Sequence, residues 1–108
     1  MASLQEITAK LRTKMESVDP SKIKGMNAVY QFDLSGDNGG VFHVKVADDT
    51  AELIEGASDN ANITITMAAD DFDSLLDGKL NATSAFMAGK LKVKGDMSLA
   101  MKLQSLLG

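Results

Sequence analysis

Apolar residues recur at Leu4, Ile7, Leu11, Met15 and Val18, three and four apart, and this spacing predicts an amphipathic helix with one face to bury. Ser3 followed by Glu6 supplies a capping box at its start. Asp19-Pro20 ends it, because the residue before a proline avoids the helical region. The period then shortens to two. In NAVYQFDL (27–34), Ala28, Tyr30, Phe32 and Leu34 share one face, while Val29, Gln31 and Asp33 share the other. SGDNGG (35–40) is rich in residues that tolerate positive φ. VFHVKVA follows, with Phe42, Val44 and Val46 on one side and Val41, His43 and Lys45 opposite. Two alternating runs about such a turn predict a β-hairpin.

A short strand is expected over 51–55, stopped by Gly56, and a further one in which Ile63, Ile65 and Met67 face inward while Asn62, Thr64 and Thr66 face outward. A helix follows from about Asp70 to Leu76, with Gly78 as its C-terminal stop. Asn81 caps a second short helix through Met87, closed by Gly89. Leu91 and Val93 point inward from a last strand. Gly95-Asp96 begins a final helix with a narrow polar stripe of Ser98, Lys102 and Ser105. Leu99, Ala100, Leu103, Leu106 and Leu107 form a broad apolar arc opposite, flanked by Met97 and Met101. The order is one helix, four strands, two short helices, a fifth strand and a last helix. This predicts an α+β fold in which helices cover one sheet face and the other stays wet.

Composition narrows the picture. At 108 residues there is room for one core, so residues 1–108 are expected to form a single domain. The absence of cysteine excludes disulfides, thiol catalysis and thiolate metal sites. No run of ~18 apolar residues suggests a spanning helix, and the first residues lack an apolar signal region. An intracellular setting is therefore expected. The net charge of −4 and few aromatic residues argue against nucleic acid as a partner.

That charge is unevenly placed. Residues 33–77 hold eleven acids against Lys45, whereas 79–102 hold Lys79, Lys90, Lys92, Lys94 and Lys102 against Asp96. The first reading of Lys90, Lys92 and Lys94 is protection of a sheet edge from pairing with other chains, which also favours a monomer. The second is transient contact with anionic lipid head groups at a membrane surface or with an acyl-CoA phosphate.

Candidate chemistry is sparse. The single histidine, His43, lies on a strand face directed at solvent, without the partner and pocket that a general base needs. Asp70, Asp71 and Asp73 favour a helix start through its dipole rather than a metal. DLSGDNGG departs from a calcium loop because Asn38 stands where glycine is required. No dinucleotide-binding glycine spacing and no serine elbow is present. The sequence reads as a non-enzyme with no cofactor. Met87, Met97 and Met101 fall near Phe72, Leu76 and Phe86; flexible thioethers suit either an ordinary core or the wall of a hollow that fits several apolar shapes.

Taken together, several segments change that balance. Thr64-Ile65-Thr66-Met67, Asp71-Phe72, Gly78-Lys79-Leu80 and Ala85-Phe86-Met87 stand in the order and spacing of the sterol carrier protein 2 family, as do Gly89 to Gly95 (GKLKVKG) and Ala100-Met101-Lys102-Leu103. The run AFMAGKLKVKGDMSLAMKL closely resembles that family's C-terminal signature; before residue 60 the likeness lies mainly in element order. The resemblance implies a five-stranded, mostly antiparallel sheet with helices on one face and an apolar tunnel between them. It implies a lipid ligand (fatty acid, fatty acyl-CoA, sterol or phospholipid), transfer between membranes and no chemical step. An accessory or docking domain of a lipid-metabolising enzyme is the alternative. Inward parity and the resemblance together nominate a tunnel lining of Phe32, Phe42, Val44, Ile65, Phe72, Leu76, Phe86, Met87, Leu91, Met97, Met101, Leu103 and Leu106, with the last helix as gate. The chain departs from the family where Ala68 replaces a common serine, where Ala82 replaces a common proline, and where Leu106-Leu107-Gly108 is no peroxisomal tripeptide.

Overall fold

The alternation of Ala28, Tyr30, Phe32 and Leu34 with more polar residues becomes a central strand whose inward side chains are all buried. The computed structural model describes residues 2–107, the side chains of Gln104 and Leu107 excepted; the expected place of Leu107 on the apolar arc, and Gly108, lie outside the described residues. The elements are α1 (Leu4–Glu16), a 3₁₀ turn (Pro20–Lys22), β1 (Ala28–Ser35), β2 (Gly40–Ala47), β3 (Thr50–Glu55), β4 (Ile63–Ala68), α2 (Ala69–Leu76), α3 (Ala82–Met87), β5 (Leu91–Gly95) and α4 (Met97–Leu107). This is an α+β fold. The five strands run in the order β3-β2-β1-β4-β5, antiparallel except for the β1–β4 pair, so the sheet is mixed.

Local chemistry explains the boundaries. Ser3 Oγ accepts from Glu6 N (3.1 Å) while Glu6 Oε1 accepts from Ser3 N (3.2 Å), which closes the expected capping box. α1 stops at Glu16, ahead of Asp19-Pro20, because Ser17 becomes its C-cap. Asp19 instead caps the 3₁₀ turn through Ser21 N. The β2–β3 hairpin turns through Asp48 and Asp49, at φ 52° and 62°. Short acids tolerate this left-handed region, which a two-residue hairpin demands. Gly78 and Gly89 end α2 and α3 at φ 75° and 77°.

The parallel β1–β4 pairing depends on Asn62. Its Oδ1 accepts from Val29 N (2.8 Å), and its own N donates to Val29 O (2.9 Å). This fixes Tyr30 opposite Ile63 and Phe32 opposite Ile65. Alternation then places Ile63, Ile65 and Met67 on the same buried face as the inward residues of β1 and β2.

Helices cover that face. α2 packs on β1 and β4, α1 against α2 and β3, α3 beside β5, and α4 on β4 and β5. Under α2, Phe32, Phe42 and Phe72 form a cluster with ring centroids 5.1, 5.2 and 6.1 Å apart. Lys10 on α1 bridges Asp73 and Asp77 at 2.6 and 2.8 Å, tying α1 to α2. The two ends of the helical layer therefore differ. The core beneath α2 is filled, and the end beneath α4 is less so.

Candidate apolar ligand site

Between the sheet and the helices, two apolar hollows are lined by described residues. The smaller, about 50 Å³, is enclosed by Leu11, Met15 and Val18 from α1, Ile23 from the following segment, Tyr30 and Phe32 from β1, Val44 and Val46 from β2, Ala51 from β3, and Leu103 and Leu106 from α4. The larger, about 230 Å³, lies under Ala82, Thr83 and Phe86 of α3 and Met97, Ala100, Met101 and Leu103 of α4, with Ile65, Leu91 and Val93 as its floor. Leu103 belongs to both linings. Its buried side chain borders both spaces.

The nominated residues separate by position. Phe32, Val44 and Leu106 line the smaller hollow; Ile65, Phe86, Leu91, Met97 and Met101 line the larger; Leu103 lines both. Phe42, Phe72 and Leu76 belong instead to the close-packed core beneath α2. There their inward parity serves ordinary packing. Met87, at 82% exposed, projects to solvent one residue beyond Phe86. Its helical position turns it away from the hollow that Phe86 borders.

Sequence reasoning placed Leu11, Met15 and Val18 on one buried stripe but did not assign them to a wall. Tyr30 and Val46 had the correct parity and were likewise passed over. Ile23 carried no periodic signal, since it follows a 3₁₀ turn rather than a helix.

The walls offer little to a charged group. Among the described residues Tyr30 is the one polar side chain lining the smaller hollow, and its hydroxyl donates to the Leu99 carbonyl oxygen of α4 at 3.0 Å. Burial, reinforced by the negative charge of Asp96, pushes the Tyr30 phenol up to about 12. The site holds a neutral, satisfied hydroxyl that also pins α4. His43 lies on the other sheet face, with Nδ1 2.8 Å from the Gly56 carbonyl oxygen. Among the described residues no group of three His, Cys, Asp or Glu side chains is placed to hold a metal ion.

α4 is held at its start by Asp96, whose Oδ1 accepts from Ser98 N (2.9 Å) and Ser98 Oγ (2.6 Å). These bonds, the side-chain one first, keep the Asp96 carboxyl below its usual range. Farther along, Lys22 Nζ reaches the Ser105 carbonyl oxygen at 3.4 Å, a long contact at the exposed surface.

Comparison with known proteins agrees with this geometry. The model of the "SCP-2 sterol transfer family" matches residues 7–108. The chain is 41% identical over 97 residues to the cattle (Bos taurus) hydroxysteroid dehydrogenase-like protein 2, covering 89% of this chain and 23% of that protein. The human counterpart is 39% identical over the same length, with the same coverage. The chain thus spans about a quarter of the length of these relatives. Among solved structures, sterol carrier protein 2 from Yarrowia lipolytica in its apo form superposes with a TM-score of 0.74 at 29% identity, covering 94% of this chain and 86% of that one. Sterol carrier protein 2 from Aedes aegypti, in complex with the C16 fatty acid palmitate, gives 0.73 at 25% identity, covering 100% and 97%.

Proposed function

The chain belongs to the SCP-2 sterol transfer family, and from that premise we propose that it takes up fatty acids, fatty acyl-CoA or sterols between its sheet and helices, with α4 as the gate. The reading involves no chemical step. The observation that carries it is the pair of apolar hollows that share Leu103 in their linings.

Their size supports a gate. Small-molecule pockets typically run to ~300 Å³ or more. Neither hollow reaches this, and together they only approach it. A long chain would enter by displacing Leu103 and shifting α4, which can move without breaking a strand ladder. The energetics suffice. A chain of about sixteen carbons gains at most ~13 kcal/mol on leaving water, against association costs of ~4–15 kcal/mol. Discrimination among chain lengths is accordingly weak.

Palmitate is the natural first probe, since the Aedes aegypti relative is described in complex with it. Leu103→Trp fills the junction between the hollows. It should lower palmitate affinity by more than about tenfold while sheet content, read by far-UV circular dichroism, is retained. Unchanged affinity would reject the junction as part of the path.

A second reading is favoured by the longer relatives. There the matched segment is about a quarter of a protein named for dehydrogenase likeness. On this reading the unit serves as an accessory domain to a lipid-metabolising enzyme. Lipid extraction of the purified protein separates the two. Co-purifying acyl lipid or sterol favours the carrier; a clean protein that takes up no added lipid favours docking alone.

A further inference from the structure

The mouth of the larger hollow is the most apolar exposed part of the described molecule. Phe86, Met97 and Met101 line it and are 45%, 49% and 75% exposed. Met87, which lines neither hollow, follows Phe86 at the end of α3 and is more exposed still. Of the five large hydrophobic side chains that are exposed among the described residues, only Val41 lies outside α3 and α4, on the outer sheet face. A core does not require these four positions to be apolar, and water penalises them.

Positive charge gathers in the same stretch of chain. Lys79 precedes α3; Lys90 follows it; Lys92 and Lys94 lie along β5, the edge strand; Lys102 is on α4. All five are exposed. Neither described salt bridge involves any of them, since both belong to Lys10. Residues 79–102 hold five lysines against Asp96, while residues 1–78 hold six Lys and Arg against fourteen Asp and Glu. Edge protection accounts for Lys90, Lys92 and Lys94. It does not account for Lys79 or Lys102, nor for the exposed methionines.

From these two independent observations we propose that the α3–β5–α4 rim is a docking surface for an anionic lipid bilayer. The lysines meet head-group phosphates and carboxylates, while Phe86, Met87, Met97 and Met101 enter the boundary of the acyl region. The acidic remainder of the molecule is repelled by the same surface, which selects the orientation. Lysine stems reach past apolar neighbours to place their ammonium groups in the polar layer. Docked this way, the mouth of the hollow faces the membrane interior, and a chain passes between them without crossing bulk water. The proposal rests on the carrier reading only for what passes through the mouth.

The test uses the full chain in co-sedimentation with vesicles of phosphatidylcholine alone and of phosphatidylcholine mixed with phosphatidylserine. Palmitate binding is measured in parallel without vesicles. Wild-type protein should sediment with the anionic vesicles and release from them as salt is raised. A surface lysine contributes about fivefold to such partitioning, so Lys90→Glu combined with Lys102→Glu should reduce it by more than about tenfold. Met87→Ser should also reduce it severalfold. Neither change should alter palmitate binding in solution, because these residues lie outside both linings.

Equal sedimentation with both vesicle types, or partitioning unmoved by all three substitutions, would overturn the proposal. So would rim-dependent dimerisation without vesicle binding, which would assign the patch to a second copy. Loss of palmitate uptake with rim-dependent vesicle binding intact would sink the carrier reading and leave the docking surface standing.

Discussion

Tyr30 links the wall of the site to its cover. Its side chain is 2% exposed, and its hydroxyl holds the Leu99 carbonyl oxygen of α4. It is also the protein's single tyrosine, so phenolate absorbance reports it alone. Ionisation should centre near pH 12 in the folded protein, against about 10 after unfolding. The native state keeps this proton where the unfolded chain has lost it. The stabilisation is therefore complete below about pH 10 and falls as pH rises through about 12. A folded-state midpoint near 10 would mean that the phenol is open to water. Ala68 gives a second prediction at this scale. It caps α2 in extended geometry without a side-chain acceptor, leaving Asp70 and Asp71 to favour the first turn. Ala68→Ser should raise unfolding free energy by about 1 kcal/mol in denaturant titration; no gain would show that the two aspartates already satisfy the helix start.

Among the elements, α4 is held by a few polar contacts along its described length. Asp96 fixes its start, Tyr30 its middle and a long Lys22 contact its far end. Its methionine flank is exposed. Removing residues 97–108 should lower uptake of a fluorescent fatty acid more than it lowers sheet content. Unchanged affinity after that deletion would reject α4 as the gate. Its amphipathic arc was legible in the sequence, because period alone identifies which side of a helix is apolar. Period does not say whether that side meets a neighbour or a void. Phe42 and Leu103 share the same inward signal, yet one is stacked between aromatic rings and the other borders two hollows. The same limit explains why Met15 and Val18 read as core and prove to be wall.

At the scale of the whole molecule, strand alternation and turn chemistry made the β1–β2 hairpin and the sheet's two faces legible. The parallel β1–β4 pairing was not, since alternation assigns faces but not partners. The bonds between Asn62 and Val29 make that choice. The resulting arrangement leaves α2 over an aromatic core at one end and α4 over open space at the other. The measurement closest to the heart of this account is an isotope-filtered NMR experiment with labelled palmitate on the intact protein. Intermolecular contacts should run from Met97 and Met101 past Leu103 to Tyr30 and Met15. Contacts restricted to surface methionines, or none at saturating palmitate, would contradict it.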